Sequence, residues 1–215
     1  MVDTRRLRCI LGWLGMLLPL IVLTLSLVFG FGLPDSISAT YYLAPCITPF
    51  MIILGAAGLF LICYNGYDRQ DDIICTLAGS FALGICLFSC ATKDLVARWP
   101  ELADLAKVGT FQLIPVVSGI IHNICAIGFF LLLAYNSIFL FTKSSGIMTE
   151  NKKKRNIIFR VCGIVMASAF IAIIPISIFE IWGGVWFVET IALLFFGISW
   201  LTKANCYSWL FADKK

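Results

Sequence analysis

Six apolar segments, each of about twenty residues or more, constrain this chain more than any other feature. A helix that crosses a bilayer needs about 20 apolar residues, and in lipid its backbone polar groups must be bonded within the structure. The 215 residues are 60% hydrophobic and 13% charged, with a mean hydropathy of +0.97, whereas water-soluble domains are about one-quarter charged. The sequence therefore predicts an all-α, polytopic membrane protein, one domain over residues 1–215 formed by a bundle of six transmembrane helices. The predicted spans are 10–32, 46–64, 73–92, 112–141, 157–179 and 184–202.

The first apolar segment, Cys9–Leu33, is predicted to be a span rather than a cleaved signal. It is longer than the hydrophobic region of a signal peptide, and no small-residue cleavage site follows it.

Lysine and arginine residues orient the six spans. Cytoplasmic loops of membrane proteins carry an excess of these residues. If both termini lie inside, 13 of the 16 fall on the cytoplasmic side and three outside, so the sequence predicts cytoplasmic N- and C-termini in a cell membrane. The 13 are Arg5, Arg6, Arg8, Arg69, Lys143, Lys152, Lys153, Lys154, Arg155, Arg160, Lys203, Lys214 and Lys215, and the three are Lys93, Arg98 and Lys107.

Charge, histidine and cysteine usage exclude several functional classes. The net charge of +4 comes from basic residues beside spans, which does not indicate nucleic-acid binding. One histidine and no CxxC pair argue against zinc, and no cofactor is predicted. Most of the nine cysteines fall in apolar runs, where they behave as small hydrophobes. Cys46 and Cys90 are predicted near the same outer edge, where a disulfide would require close Cα atoms.

Two inner loops carry most of the remaining charge. The run NKKKRN (151–156) favours topological anchoring of the fifth span, and the alternative is attraction of anionic membrane lipid. In the turn YNGYDRQDD (64–72), Asp71 and Asp72 are expected at the N-terminus of the third span, where the helix dipole favours anions. Asp68 and Asp71 could in principle hold a divalent ion, but one short turn supplies few ligands.

Small residues in the third span recur at helical spacing. Cys75, Gly79, Ala82 and Cys86, followed by Ser89 or Cys90, are separated by three or four residues and so share one face of a helix. A small-residue face lets a second helix approach closely in lipid. We therefore expect the third span at the centre of the bundle.

Two prolines and a tryptophan indicate where helices begin near the outer side. Pro115 marks the start of the fourth span, whose extra length could be absorbed by tilt. In the outer loop 93–111, Pro100 suits a first helical position and Trp99 suits a membrane interface. A short interfacial helix is therefore predicted there.

The sixth span contains one carboxylate, Glu189, about five residues from its outer end. An acid in hydrocarbon is costly and usually faces a polar partner. His122, the only histidine, lies at a similar depth in the fourth span, with Ser118 one turn above it and Asn136 further along the same face. A Glu189–His122 pair would satisfy both groups and raise the pKa of the histidine.

The outer loop PDSISATYY (34–42) brings further polar groups to the same rim, including Tyr41 and Tyr42. These residues, with Glu189, His122, Ser118 and Asn136, are the candidate ligand-binding residues. The sequence thus predicts an outward-facing pocket that binds or translocates a small polar or lipidic ligand. The simpler interpretations are an interhelical bond for Glu189 and His122 and an interfacial aromatic belt for the tyrosines.

Two other functions remain open. An oligomeric channel or membrane-permeabilising effector would place Glu189 or Asn136 on an axis shared by several copies. A membrane-embedded lipid hydrolase or transferase would need a nucleophile near His122. Ser118 lies four residues away, but no nucleophile elbow or oxyanion-type glycine motif surrounds it, so catalysis has little support.

Several stretches resemble a group of bacterial six-span membrane proteins of uncharacterised activity. The similar stretches are SISATYY (36–42), YNGYDRQDD (64–72), AGSFALGICLF (78–88), His122, KKKRNIIFRVCG (152–163) and FVETIALLFFGISWLTK (187–203). The topology is also distantly similar to that of DRAM-type membrane proteins. The resemblance implies a six-helix fold in a bacterial inner membrane and singles out Glu189 and His122. The group typically has an Arg-Asp pair where this chain reads CITPF (46–50).

Overall fold

The computed structural model is all-helical over the residues it describes, which are 4–91, 93–98, 100–102, 104, 107–144, 146, 148–181 and 183–206. Six of its helices are long and apolar enough to cross a membrane. The helices, in chain order, are α1 (Thr4–Val28), α2 (Ala44–Ile62), α3 (Arg69–Leu87), the short α4 (Lys93–Arg98), α5 (Pro115–Tyr135), α6 (Glu150–Ile178) and α7 (Gly184–Lys203). Short 3₁₀ helices cover Ser38–Tyr42 and Pro100–Leu102, and a π-helical turn, Asn136–Leu140, extends α5.

The six predicted spans are confirmed as helices, with shifts at their ends. The third span ends at Leu87 instead of residue 92, because the chain leaves the helical conformation at Phe88. The fifth begins at Glu150, seven residues before the predicted start. Lysine and arginine are good helix formers, so the basic run 151–156 forms the first turns of α6 rather than a flank outside it.

Side chains from the loops cap two of these helices. The Asp68 carboxylate accepts from the backbone N–H of Asp71 at the start of α3, and the Thr149 hydroxyl accepts from Lys152 N–H at the start of α6. Both bonds satisfy donors that a helix N-terminus leaves free. Asp71 and Asp72 lie in the first turn of α3 as predicted, and α5 begins at Pro115 as predicted.

The six long helices form a closed ring in chain order. Each packs on the span before it and the span after it, and α7 packs on α1. At the α1–α7 contact, a Cβ built on Gly197 would lie 2.6 Å from the carbonyl oxygen of Gly12, so the two backbones touch. A disulfide joins Cys9 of α1 to Cys206, three residues after the end of α7.

The small-residue face of α3 packs against α2. Cys75, Ala82 and Cys86 are buried, and a Cβ built on Gly79 would lie 2.4 Å from the carbonyl oxygen of Gly58 in α2. The predicted face therefore carries a close backbone contact between α3 and α2, and no larger side chain fits at Gly79. The predicted place of the third span at the centre of the bundle is wrong, because α3 is one member of the ring and packs mainly on α2 and α5.

Aromatic side chains fill the centre of the ring. Phe50, Phe129, Phe196 and Trp200 are each about 2% exposed or less. The Phe196 ring lies 6.5 Å from Phe129 and 6.1 Å from Trp200, measured between centroids. This packed layer separates the polar groups at one end of the bundle from those at the other.

The predicted helix in the outer loop is present in two short pieces. These are α4 (Lys93–Arg98) and the 3₁₀ turn that begins at Pro100. Trp99 lies outside the described residues.

Candidate functional site

Polar side chains concentrate at the two ends of the bundle. We call the end where α1 and α6 begin and α7 ends, together with the turn 63–68, the basic end. The opposite end carries the segments 29–43, 88–91, 107–114 and 179–181. Most of the residues singled out by the sequence lie at the opposite end, and a cavity lies at the basic end.

At the opposite end, three side chains bind three consecutive carbonyl groups. His122 Nδ1 lies 2.7 Å from the Phe88 carbonyl oxygen, Ser118 Oγ donates to Ser89 O at 2.9 Å, and Tyr42 Oη donates to Cys90 O at 2.7 Å. Because a carbonyl only accepts, Nδ1 of His122 carries the proton. These carbonyls follow the end of α3 and have no helical partner, so the three side chains hold the segment 88–90 in place.

Glu189 binds the neighbouring loop. Its carboxylate accepts from the backbone N–H of Ile37, a residue that is 3% exposed. Three residues earlier on α7, the backbone N–H of Trp186 donates to Asp35 O at 3.1 Å. The start of α7 thus fixes the loop that carries the two predicted rim tyrosines.

The structure brings five of the six predicted site residues to one end but does not pair the two central ones. Glu189 binds Ile37 and His122 binds Phe88.

Tyr41 and Tyr42 pack edge to face, with ring centroids 5.4 Å apart. Burial raises the pKa of both hydroxyls, so the Tyr42 hydroxyl keeps its proton and stays a hydrogen-bond donor.

The sixth predicted residue, Asn136, lies in the half of the bundle nearer the basic end. It is buried and its amide donates to Cys75 Sγ at 3.3 Å. No disulfide joins Cys46 and Cys90, the pair for which one was left open. The Cys46 thiol donates to Val22 O and the Cys90 thiol to Ser38 O, each at 3.5 Å.

These contacts predict that Glu189 and His122 contribute independently to stability. Glu189→Ala would leave the Ile37 N–H buried without its acceptor and His122→Ala would do the same to Phe88 O, each costing about 1–3 kcal/mol. Since the two residues share no partner, a double-mutant cycle on the purified protein should give a coupling energy within about 0.5 kcal/mol of zero. A coupling energy well above 1 kcal/mol would instead indicate a direct Glu189–His122 pair.

The basic end contains a cavity of about 710 Å³. Its walls come from α1, α6, α7 and the segments before α3 and after α5. The lining residues are Arg8, Tyr67, Asp68, Lys143, Ser144, Thr149, Lys152, Arg155, Phe159, Thr202, Lys203 and Asn205. Five of them are cationic and one is acidic.

Lys143 binds two carboxylates of the described residues. Its Nζ lies 2.8 Å from Asp68 Oδ2 and 2.9 Å from Asp71 Oδ1. The Lys143 ammonium lowers the pKa of Asp68, and Asp68 in turn raises the pKa of Lys143. Asp68 and Asp71, the two carboxylates that the sequence analysis considered as ligands of a divalent ion, are therefore both bound to Lys143.

Lys203 and Arg8 face aromatic rings instead of acids. Lys203 Nζ lies 4.4 Å from the Tyr67 ring centroid and 4.6 Å from that of Phe141, and the Arg8 guanidinium lies 5.3 Å from the centroid of Tyr64. Such cation–π contacts offset only part of the cost of removing a cation from water. Arg8 Nε is also buried without an acceptor.

The remaining two lining cations bind neutral groups. Lys152 Nζ donates to Phe141 O at 2.9 Å, and Arg155 donates to Asn205 Oδ1 at 2.6 Å. Across the part of the chain that the structure describes, no carboxylate lies within salt-bridge distance of Arg8, Lys152, Arg155 or Lys203.

The sequence analysis assigned these cations to membrane orientation, with attraction of anionic lipid by the run 151–156 as the alternative, and it did not predict the cavity. The signal was present, since basic residues flank five helix ends on one side of the predicted membrane. Whether such side chains extend to the lipid surface or converge on one space depends on helix rotation, which a charge count does not give.

No protein-family model matches the chain, and neither a curated protein nor a solved structure matches it.

Proposed function

We propose that this membrane protein binds a small anionic ligand, polar or lipidic, in the cavity at its basic end. The observation that carries the proposal is the convergence of Arg8, Lys143, Lys152, Arg155 and Lys203 on one cavity in which, among the described residues, only Lys143 binds carboxylates.

The physical basis is the cost of unpaired charge. A cation withdrawn from water without a carboxylate partner destabilises the fold. Lys203 and Arg8 face aromatic rings, and no carboxylate of the described residues pairs with either. A bound anion would offset this cost and supply an acceptor to Arg8 Nε. Guanidinium and ammonium groups form their strongest hydrogen bonds with anionic oxygens.

The position of the cavity favours a ligand at the membrane surface. It lies where three membrane-spanning helices begin or end, α1, α6 and α7, which is the level of lipid headgroups. The excess of lysine and arginine orients this end toward the cytoplasm, and in a bacterial inner membrane that leaflet would present anionic headgroups to it.

The contacts at the opposite end support a structural role there. His122, Ser118, Tyr42 and Glu189 are engaged by loop backbone groups, which leaves little of the predicted outward-facing pocket for a ligand. The same bonds take Ser118 and His122 away from the nucleophile–base contact that a hydrolase would need.

The packed centre favours binding over passage through one copy of the chain. Phe129, Phe196 and Trp200 occupy the space between the two ends. Asn136, which a shared channel axis would expose, is 2% exposed and bonded within its own chain.

The proposal predicts that anionic lipid binding depends on Lys203 and Arg8. In native mass spectrometry of the full chain in neutral detergent, an equimolar mixture of phosphatidylglycerol and phosphatidylcholine should leave phosphatidylglycerol bound. Lys203→Met should weaken that binding by about tenfold, a loss of about 1.4 kcal/mol, and Arg8→Gln should weaken it similarly.

Lys154→Gln is the matched control, because Lys154 is an exposed lysine on α6 that does not line the cavity; its affinity should stay within twofold of the original. Lys203→Met should not lower the melting temperature without lipid, since it removes a charge that pairs with no carboxylate of the described residues. Two outcomes would contradict the proposal. One is equal retention of phosphatidylglycerol by the original protein and all three variants, and the other is equal retention of phosphatidylglycerol and phosphatidylcholine by the original protein.

A further inference from the structure

We propose that the anionic group recognised by the cavity is a phosphomonoester rather than a phosphodiester, an inference that rests on the proposed function. A phosphomonoester carries about −1.5 to −2 charges at pH 7, whereas a phosphodiester carries one.

The charge balance of the cavity favours the more highly charged group. Among the residues that the structure describes, five cations line it, and the two nearby carboxylates, Asp68 and Asp71, both bind Lys143. Lys143 and its two carboxylates together carry a net charge of −1. The other four cations contact rings, a carbonyl and an amide and carry +4, which leaves an excess of three positive charges. One negative charge would leave most of this excess unbalanced, whereas a dianion would neutralise two charges within a single group.

Neutral donors around the cavity suit a group with several terminal oxygens. The Thr149 hydroxyl accepts from Lys152 N–H and keeps its own hydrogen for a ligand. Thr149 is also the N-cap of α6, a helix of 29 residues. The free N–H groups and the dipole of a helix N-terminus stabilise phosphate oxygens. A phosphomonoester has three such oxygens, one more than a diester.

The same chemistry can come from a lipid or from a soluble molecule, and three probes separate the sources. We would measure affinities of the full chain in neutral detergent for dioleoyl phosphatidic acid, a monoester lipid, for dioleoyl phosphatidylglycerol, a diester lipid, and for glycerol 3-phosphate, a soluble monoester. The expected result is that phosphatidic acid binds at least tenfold more tightly than phosphatidylglycerol.

Glycerol 3-phosphate identifies the source. If it competes with phosphatidic acid at comparable concentrations, the cavity binds the monoester group itself and a soluble ligand suffices. If it competes only at concentrations at least a hundredfold higher, the acyl chains contribute and the ligand is a lipid. Both outcomes support recognition of a monoester.

Variants tie the preference to the cavity. Lys203→Arg should keep the preference for phosphatidic acid over phosphatidylglycerol, and Lys154→Gln should leave it unchanged. Lys203→Met should lower the affinity for phosphatidic acid toward the affinity for phosphatidylglycerol. If the original protein binds the two lipids with equal affinity and Lys203→Met loses that binding, the monoester inference is overturned and the proposed function stands. Failure of every probe to bind would overturn both.

Discussion

Gly79→Leu should prevent α2 and α3 from packing and should lower the stability of the protein by roughly 3 kcal/mol or more. A Cβ at this position would lie 2.4 Å from Gly58 O and 2.9 Å from the backbone nitrogen of Ile62. Backbone atoms cannot yield as the end of a flexible side chain does, so the helices must separate. Separation removes the close van der Waals contact that holds helices together in lipid.

The measurement is denaturation of the purified protein in detergent, followed by circular dichroism. Gly55→Leu on α2 is the matched control, because a Cβ there meets no atom within 4 Å. It introduces the same side chain and the same gain in helix propensity, and it should change stability by no more than about 0.5 kcal/mol. Equal stability of the two variants would show that the Gly58–Gly79 approach does not hold α2 and α3 together.

Loss of the Cys9–Cys206 disulfide should have the second large effect. The bond joins residues 197 positions apart, and cross-links that close long loops stabilise proteins by about 2–4 kcal/mol. Cys9→Ser, or reduction of the purified protein, should lower the melting temperature and slow migration on a non-reducing gel.

Cys63→Ser serves as the control for that experiment, since Cys63 is an exposed free thiol at the end of α2. It should melt as the original protein does. An unchanged melting temperature in Cys9→Ser would mean that packing alone secures α7 against α1.

The same cysteine pair also tests the proposed orientation. Disulfides persist in oxidising compartments and are rare in the cytosol. With the basic end in the cytoplasm, the bridge of the purified protein closes only after lysis. Blocking thiols with N-ethylmaleimide before lysis should then trap Cys9 and Cys206 in the reduced form. A bridge that is already closed at the moment of blocking would place the basic end on the oxidising side and contradict the orientation.

The helices were predictable because their signals are local. Length and apolar content define the six spans, Pro115 marks a start, and the spacing of Cys75, Gly79 and Ala82 marks a packed face. Each of these depends on residues within a few turns of one another.

The contacts between distant segments were not predictable in the same way. Similar depth suggested a Glu189–His122 pair, but depth does not give the rotation of either helix, and nearby backbone groups of the loops became their partners instead. Cys9 and Cys206 gave no signal as a pair, because only the packing of the first helix on the last brings them together. The cavity depends on the same ring closure.

The packing of α7 on α1 has a consequence for how the chain is made. The ends of α1 and α7, at Val28 and Lys203, are separated by 175 residues, which a ribosome adds in roughly 10–35 s at about 5–20 residues per second. Throughout that interval the glycine face of α1, with Gly12 and Gly15, has no helix to receive it. α1 therefore stays in the bilayer without its partner until α7 has been made, and the bundle closes only when synthesis of α7 is finished.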